Sequence, residues 1–221
     1  MNNQEALNTL NDIRKMMEKS SRFLSLNGAA AIVIGIYACI AAVIAYFILG
    51  GDDLVRPSLF GNFRVPMLLV NTPYRLHLLL VFAAILIALC LVTVILMCRH
   101  KAHKNNQKLQ FDRTTQRLLW NFFLPLVTGG ILCLSLLWQQ HYGLTSSIML
   151  IFYGIALINA SNYTYSNTRY LGYAELLLGL ADSFVEGHAL LFWVAGFGIF
   201  HIIYGILFHL KYEKQSKVSA S

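Results

Sequence analysis

The sequence predicts an all-α integral membrane protein: a bundle of six transmembrane helices, both termini cytoplasmic, with a parallel internal repeat. Three observations predict it. The 221 residues are 57% hydrophobic and only 12% charged, about half the charge of an ordinary soluble domain. The apolar residues form runs long enough to cross about 30 Å of hydrocarbon. The basic residues gather in alternate connecting segments, as cytoplasmic loops do. Such runs must be helical, because lipid offers no partner to a free backbone N–H or C=O.

Residues 1–23 carry Leu7, Leu10, Ile13 and Met17 at helical spacing, with Asp12, Arg14, Lys15 and Glu18 elsewhere on the wheel. This predicts a cytoplasmic amphipathic helix. It either lies on the inner membrane surface or docks a cytoplasmic protein partner. The stretch is too polar for a signal peptide.

The six-helix membrane domain is expected over 24–210. Four runs are clear: 24–49, 76–98, 118–138 (with Pro125 inside it) and 188–210. The run at 143–160 is shorter. The segment 170–185 contains Glu175 and Asp182, and charge decides whether it crosses. With six spans and the N-terminus inside, 14 of the 17 Lys and Arg residues lie inside, and Arg56, Arg64 and Arg75 lie outside. Were 170–185 not to cross, Lys211, Lys214 and Lys217 in the tail 211–221 would also lie outside. The positive-inside rule therefore favours six spans. Residues 50–73 form the one sizeable outer loop, rich in Gly and Pro.

The basic loop 99–117 is read as a lipid anchor. Arg99, Lys101, Lys104 and Lys108 would meet anionic headgroups. Cys98, His100 and His103 have a spacing zinc tolerates, but those cations repel a metal ion, so no metal site is assigned. No cofactor and no nucleic acid is expected. The cysteines Cys39, Cys90, Cys98 and Cys133 form no C-x-x-C and read as small packing residues.

The repeat rests on two alignments. Residues 148–158 over 199–209 match Ile148, Ile151, Tyr153, Gly154 and Ile155 with Ile199, Ile202, Tyr204, Gly205 and Ile206. Gly28 and Gly35 parallel Gly172 and Gly179, each pair seven apart, so each lies on one helix face. Small residues on one face let helices approach closely in lipid. Self-association into a homo-oligomer through these glycine faces is also expected.

The candidate site follows from two stripes. Gly198, His201, Gly205 and His209 share one face of the last span. Gly172, Glu175, Gly179, Asp182 and Glu186 share one face of the span before. The two faces are expected to meet, with Glu175 and His201 paired across a depth difference of about 6 Å, directly or through water. Tyr204 and Asn159 complete the candidate binding residues. An ionisable pair inside a membrane is either a proton or solute path or an interhelical lock. No nucleotide loop, serine-nucleophile motif or metalloprotease motif occurs, so an enzyme is not expected.

The closing region, YAELLLGLADSF…GFGIFHIIYGILFHLKYE, resembles small, uncharacterised bacterial inner-membrane proteins of six spans. Its Gly-Ile/Leu pattern over 143–210 resembles the HdeD-type acid-resistance membrane proteins. The loops 50–73 and 99–117 depart from the compact form of that family. The resemblance implies a bacterial inner-membrane location and a stress role. Two functions stay open: a small permeation or proton-linked stress-response protein using Glu175 and His201, or a non-transporting accessory or sensor that docks a partner.

Overall fold

The structure, a computed structural model, describes residues 28–48, 73–104, 113–139, 141–164, 168–185 and 187–210. The expected amphipathic helix within 1–23, the loop 50–72, Lys108 and the tail 211–221 lie outside these residues. The described residues are helical throughout, with no strand among them: α1 (Gly28–Ile48), α2 (Pro73–Lys104), α3 (Arg113–Trp138), α4 (Thr145–Ala160), α5 (Thr168–Phe184) and α6 (Ala189–Phe208). A 3₁₀ turn, Tyr142–Leu144, leads into α4.

Five of these are long and apolar enough to cross a membrane: Gly28–Ile48, Leu76–His100, Arg113–Trp138, Tyr142–Ala160 and Ala189–Phe208. The chain is thus built as a multi-pass membrane protein. Its exposed surface is what lipid requires, with Ile36, Val43, Phe47, Val81, Ile85 and Leu177 facing outward. Two hydroxyls on the spans return to their own helices: Thr93 donates to the Leu89 carbonyl at 2.8 Å and Thr128 to the Leu124 carbonyl at 2.9 Å. That is how a hydroxyl is satisfied where no water is present.

The 17-residue α5 falls short of the other spans, yet it packs along α4 more extensively than any other helix pair. α3 packs on the opposite side of α4, α6 on α1, and α2 on α1. α2 stands at the periphery, and none of its described side chains is buried. Helix geometry carries on through Lys104 and starts again at Arg113. Within the basic segment 99–117, residues 99–104 and 113–117 are thus the ends of two helices.

Two glycine seams hold the bundle. Between α1 and α6, a methyl group on Gly28 would stand 2.8 Å from the Gly205 carbonyl oxygen, and one on Gly35 would stand 2.7 Å from that of Gly198. Between α4 and α5, a methyl on Gly154 would stand 2.7 Å from the Gly172 carbonyl oxygen, and one on Gly172 2.8 Å from that of Gly154. Only the absence of a Cβ lets these backbones touch.

The two seams have one contact pattern. Gly28 meets Gly205 and His209 as Gly172 meets Gly154 and Ile158. Gly35 meets Ile202 as Gly179 meets Ile151. Gly205 meets Ile32 as Gly154 meets Leu176. This corrects the expected pairing. Gly172 and Gly179 face α4, and Gly198 and Gly205 face α1, so the glycines of α5 and α6 do not face each other. All seven predicted packing glycines are buried inside the protomer. They are spent within the chain, and contact between copies would need other surfaces.

Helix α6 is not uniform. Its middle, Val194–Phe200, is a π-helix flanked by α-helical Ala189–Trp193 and His201–Phe208. Such stretches are wider than an α-helix and recur at functional sites. Here the π-helix ends next to His201 and carries Gly196 and Gly198, both buried.

Candidate functional site

The π-helical stretch of α6 is where α5 reaches α6. Glu175, on the inward face of α5, has no exposed surface at all, and His201 retains 3%. The carboxylate Oε1 lies 3.4 Å from His201 Nδ1. Oε2 lies against the α-carbon of Gly196, so close that a Cβ there would overlap it. Neither oxygen has a hydrogen-bond partner among the described residues. A carboxyl in an apolar interior is costly to ionise, and the polar neighbour the described residues give this one is the imidazole.

The imidazole is better provided for. Nδ1 lies 3.1 Å from the Gly196 carbonyl oxygen and Nε2 lies 2.7 Å from the Tyr153 hydroxyl. A carbonyl oxygen can only accept, so Nδ1 carries the proton. In the neutral ring Nε2 then accepts from the Tyr153 O–H. The Nδ1–H points at Gly196, which is why the carboxylate at 3.4 Å stays outside hydrogen-bond geometry.

Aromatic rings close the site. Tyr153 stacks on His201 with centroids 5.4 Å apart, and Phe197 covers the histidine at 6.2 Å. Trp193 and Phe122 extend the cluster, 5.3 Å from Phe197 and 6.3 Å from Tyr153. These rings fix the imidazole plane, so its two nitrogens address different partners.

Other polar pairs sit at both ends of α5. Towards its C-terminus, the Ser147 hydroxyl donates to Asp182 Oδ2 at 2.9 Å, and both residues are buried. At the N-terminus, the Thr168 and Tyr204 hydroxyls bond at 2.9 Å. Arg169 fastens the α4–α5 turn, its Nε donating to the Ser161 hydroxyl and its Nη2 to the Asn162 amide oxygen, both at 3.2 Å.

Of the predicted site residues, the structure brings Glu175 and His201 together. Tyr204 lies on α6 but pairs with Thr168 rather than with them. His209 is exposed at the end of the last helix and Asn159 is half-buried at the end of α4; neither joins the pair. Sequence reasoning missed three participants. Tyr153 had surfaced only as a repeat match, and its partner lies 48 residues away. Gly196 gave no signal, because the π-helix changes which residues of α6 face α5. Ser147 looked like an ordinary small residue of a span.

No family model, no curated protein and no solved structure matches this chain.

Proposed function

We propose that this chain is a six-span protein of the bacterial inner membrane, both termini cytoplasmic, that carries out proton-linked permeation in a stress response. Glu175, His201 and Tyr153 are the groups that handle the proton. The distribution of Lys and Arg and the full-length packing of α5 on α4 support the sixth span. The matched contacts of the two glycine seams support a duplicated helix pair, α4 with α5 and α6 with α1. The resemblance to HdeD-type proteins supports the location and the stress role.

One observation carries the functional reading. A wholly buried carboxylate with no hydrogen-bond partner stands 3.4 Å from an imidazole nitrogen. A lock between helices would satisfy its carboxylate; this one does not. The transfer follows from the tautomer. A proton arriving at His201 Nε2 makes the ring an imidazolium. Drawn by that charge, the Glu175 carboxylate closes the 3.4 Å to Nδ1 and Oε1 takes its proton, leaving a neutral imidazole protonated at Nε2 and a neutral carboxylic acid. Tyr153, at Nε2, is placed to relay the incoming proton.

Purified protein in liposomes loaded with a pH-sensitive dye tests this. Wild type is expected to dissipate an imposed pH gradient, and Glu175→Gln and His201→Gln to lose that flux about tenfold or more. Wild-type flux in a correctly folded double variant would remove the site. No flux in wild type, with a cytoplasmic protein co-purifying through residues 1–23, would favour the docking role instead.

A further inference from the structure

We infer that the proton route follows one stripe of α5 and is interrupted by Leu150, a dry gate between a second acidic station, Asp182–Ser147, and Glu175. The inference rests on the reading of Glu175 given above and adds a route, an exit residue and a barrier to it.

Thr168, Glu175 and Asp182 recur every seventh residue of α5, so they share a face. All three are buried, and each meets a polar group from another helix: Tyr204, His201 and Ser147 in turn. Buried polar groups at one register along a span are costly, and three of them on one line mark a path rather than a packing accident. Asp182 also has Ser146 and His188 near it. Around Glu175 the facing titratable groups are His201 and, behind it, Tyr153.

The path is not continuous. Seven residues of helix separate Glu175 from Asp182 by about 10 Å, well beyond direct proton transfer. Leu150 fills the interval. It has no exposed surface. A Cβ on Gly196 would overlap both its Cδ2 and Glu175 Oε2, so the methyl and the carboxylate lie side by side. A Cβ on Gly179, midway between the two acids, would stand 2.9 Å from Leu150 Cβ. Ser147, one turn earlier on α4, holds Asp182, and Tyr153, one turn later, holds His201. α4 therefore presents polar, apolar and polar groups in register with the α5 stripe. Gly179 meets Ile151 as well as Leu150, and Gly196 meets Leu150 beside the acid, so Leu150 is the side chain that borders both Glu175 and the interval.

When the gap is wet, the Glu175 acid, loaded from His201, releases its proton to water and becomes a carboxylate again. The water passes a proton to the Asp182 carboxylate, which becomes the neutral acid. A chain of one or two waters spans the distance that Leu150 occupies. The species carried is a proton, which is what a carboxyl at either end of the gap binds and releases.

Two readouts test the gate on folded full-length protein in liposomes, with size-exclusion behaviour as the check on folding. Leu150→Ser, or Leu150→Ala if the serine variant does not fold, is expected to raise proton flux about tenfold. Adding Asp182→Asn should cancel that gain. Infrared spectroscopy of the Glu175 carboxyl band, assigned with Glu175→Gln, should show deuterium exchange accelerated by a similar factor in the Leu150 variant. Unchanged exchange in a folded Leu150 variant overturns the gate, whatever the flux. Flux that ignores Glu175→Gln overturns the reading of Glu175 and leaves the gate to be judged by the exchange rate. A gain that survives Asp182→Asn overturns Asp182 as the exit.

Discussion

Glu175 and Gly196 touch where a side chain on residue 196 would begin: Oε2 of the acid occupies the space of the missing Cβ. The carboxylate is covered by bare backbone, and its position depends on there being no methyl group opposite.

Gly196→Ala should therefore be harmful, though less so than at the seams, because the atoms its methyl meets are side-chain ends rather than backbone. The added methyl meets Glu175 Oε2 and Leu150 Cδ2 together, and a forced overpacking of this kind costs about 1–3 kcal/mol. Thermal unfolding in detergent should show a clear fall in Tm. A Tm equal to wild type would mean that Glu175 and Leu150 are not packed tightly against Gly196.

Tyr153→Phe removes the hydroxyl 2.7 Å from His201 Nε2 and changes nothing else in shape. The ring nitrogen is left without a donor in a buried site, at a cost of about 1–3 kcal/mol. Imidazole ¹⁵N shifts of His201 should report the Nδ1–H tautomer in wild type and a changed balance in the variant. Identical spectra would show that the bond is absent.

The seams predict a contrast among glycines. Gly154→Leu and Gly205→Leu each drive a side chain into an opposing backbone, so both should cost more than about 3 kcal/mol or prevent folding. Gly130 has nothing within 4 Å of its missing Cβ, so Gly130→Leu should lie within about 0.5 kcal/mol of wild type. A comparable loss at Gly130 would contradict the seam assignment.

Single cysteines introduced at Ser58 and Ser216, after replacement of the four native ones, report the proposed threading. An impermeant maleimide applied from the periplasmic side should label the first position and spare the second. Periplasmic labelling of Ser216→Cys would reduce the spans to five.

Much of this architecture was legible, for physical reasons that differ by element. Spans show in the sequence because a lipid-exposed helix must be apolar over its whole length, as Leu76–His100 is. The glycine pairs Gly28/Gly35 and Gly172/Gly179 also showed, because a sevenfold spacing marks a face. Their partners did not: spacing tells which face is bare, but not which helix fills it, and consecutive helices are not obliged to pair. Glu175 and His201 stood out because ionisable groups inside apolar runs are rare. Tyr153 and Ser147 did not, since a tyrosine or serine in a span is ordinary until the fold sets it beside a histidine or an acid. The departure of Val194–Phe200 from α-helical geometry, which brings Gly196 to the acid, leaves no mark in composition or periodicity.

That wider stretch of α6 is stored slack. A π turn holds more residues per revolution than its neighbours. Rewinding it to α-helical geometry swings everything on its far side through about 100° and pushes it out by about 1.5 Å. Trp193 would swing relative to His201 under such a tightening, carried by a change of winding alone. The last helix thus has a built-in swivel beside its histidine, with no proline and no loop required to provide it.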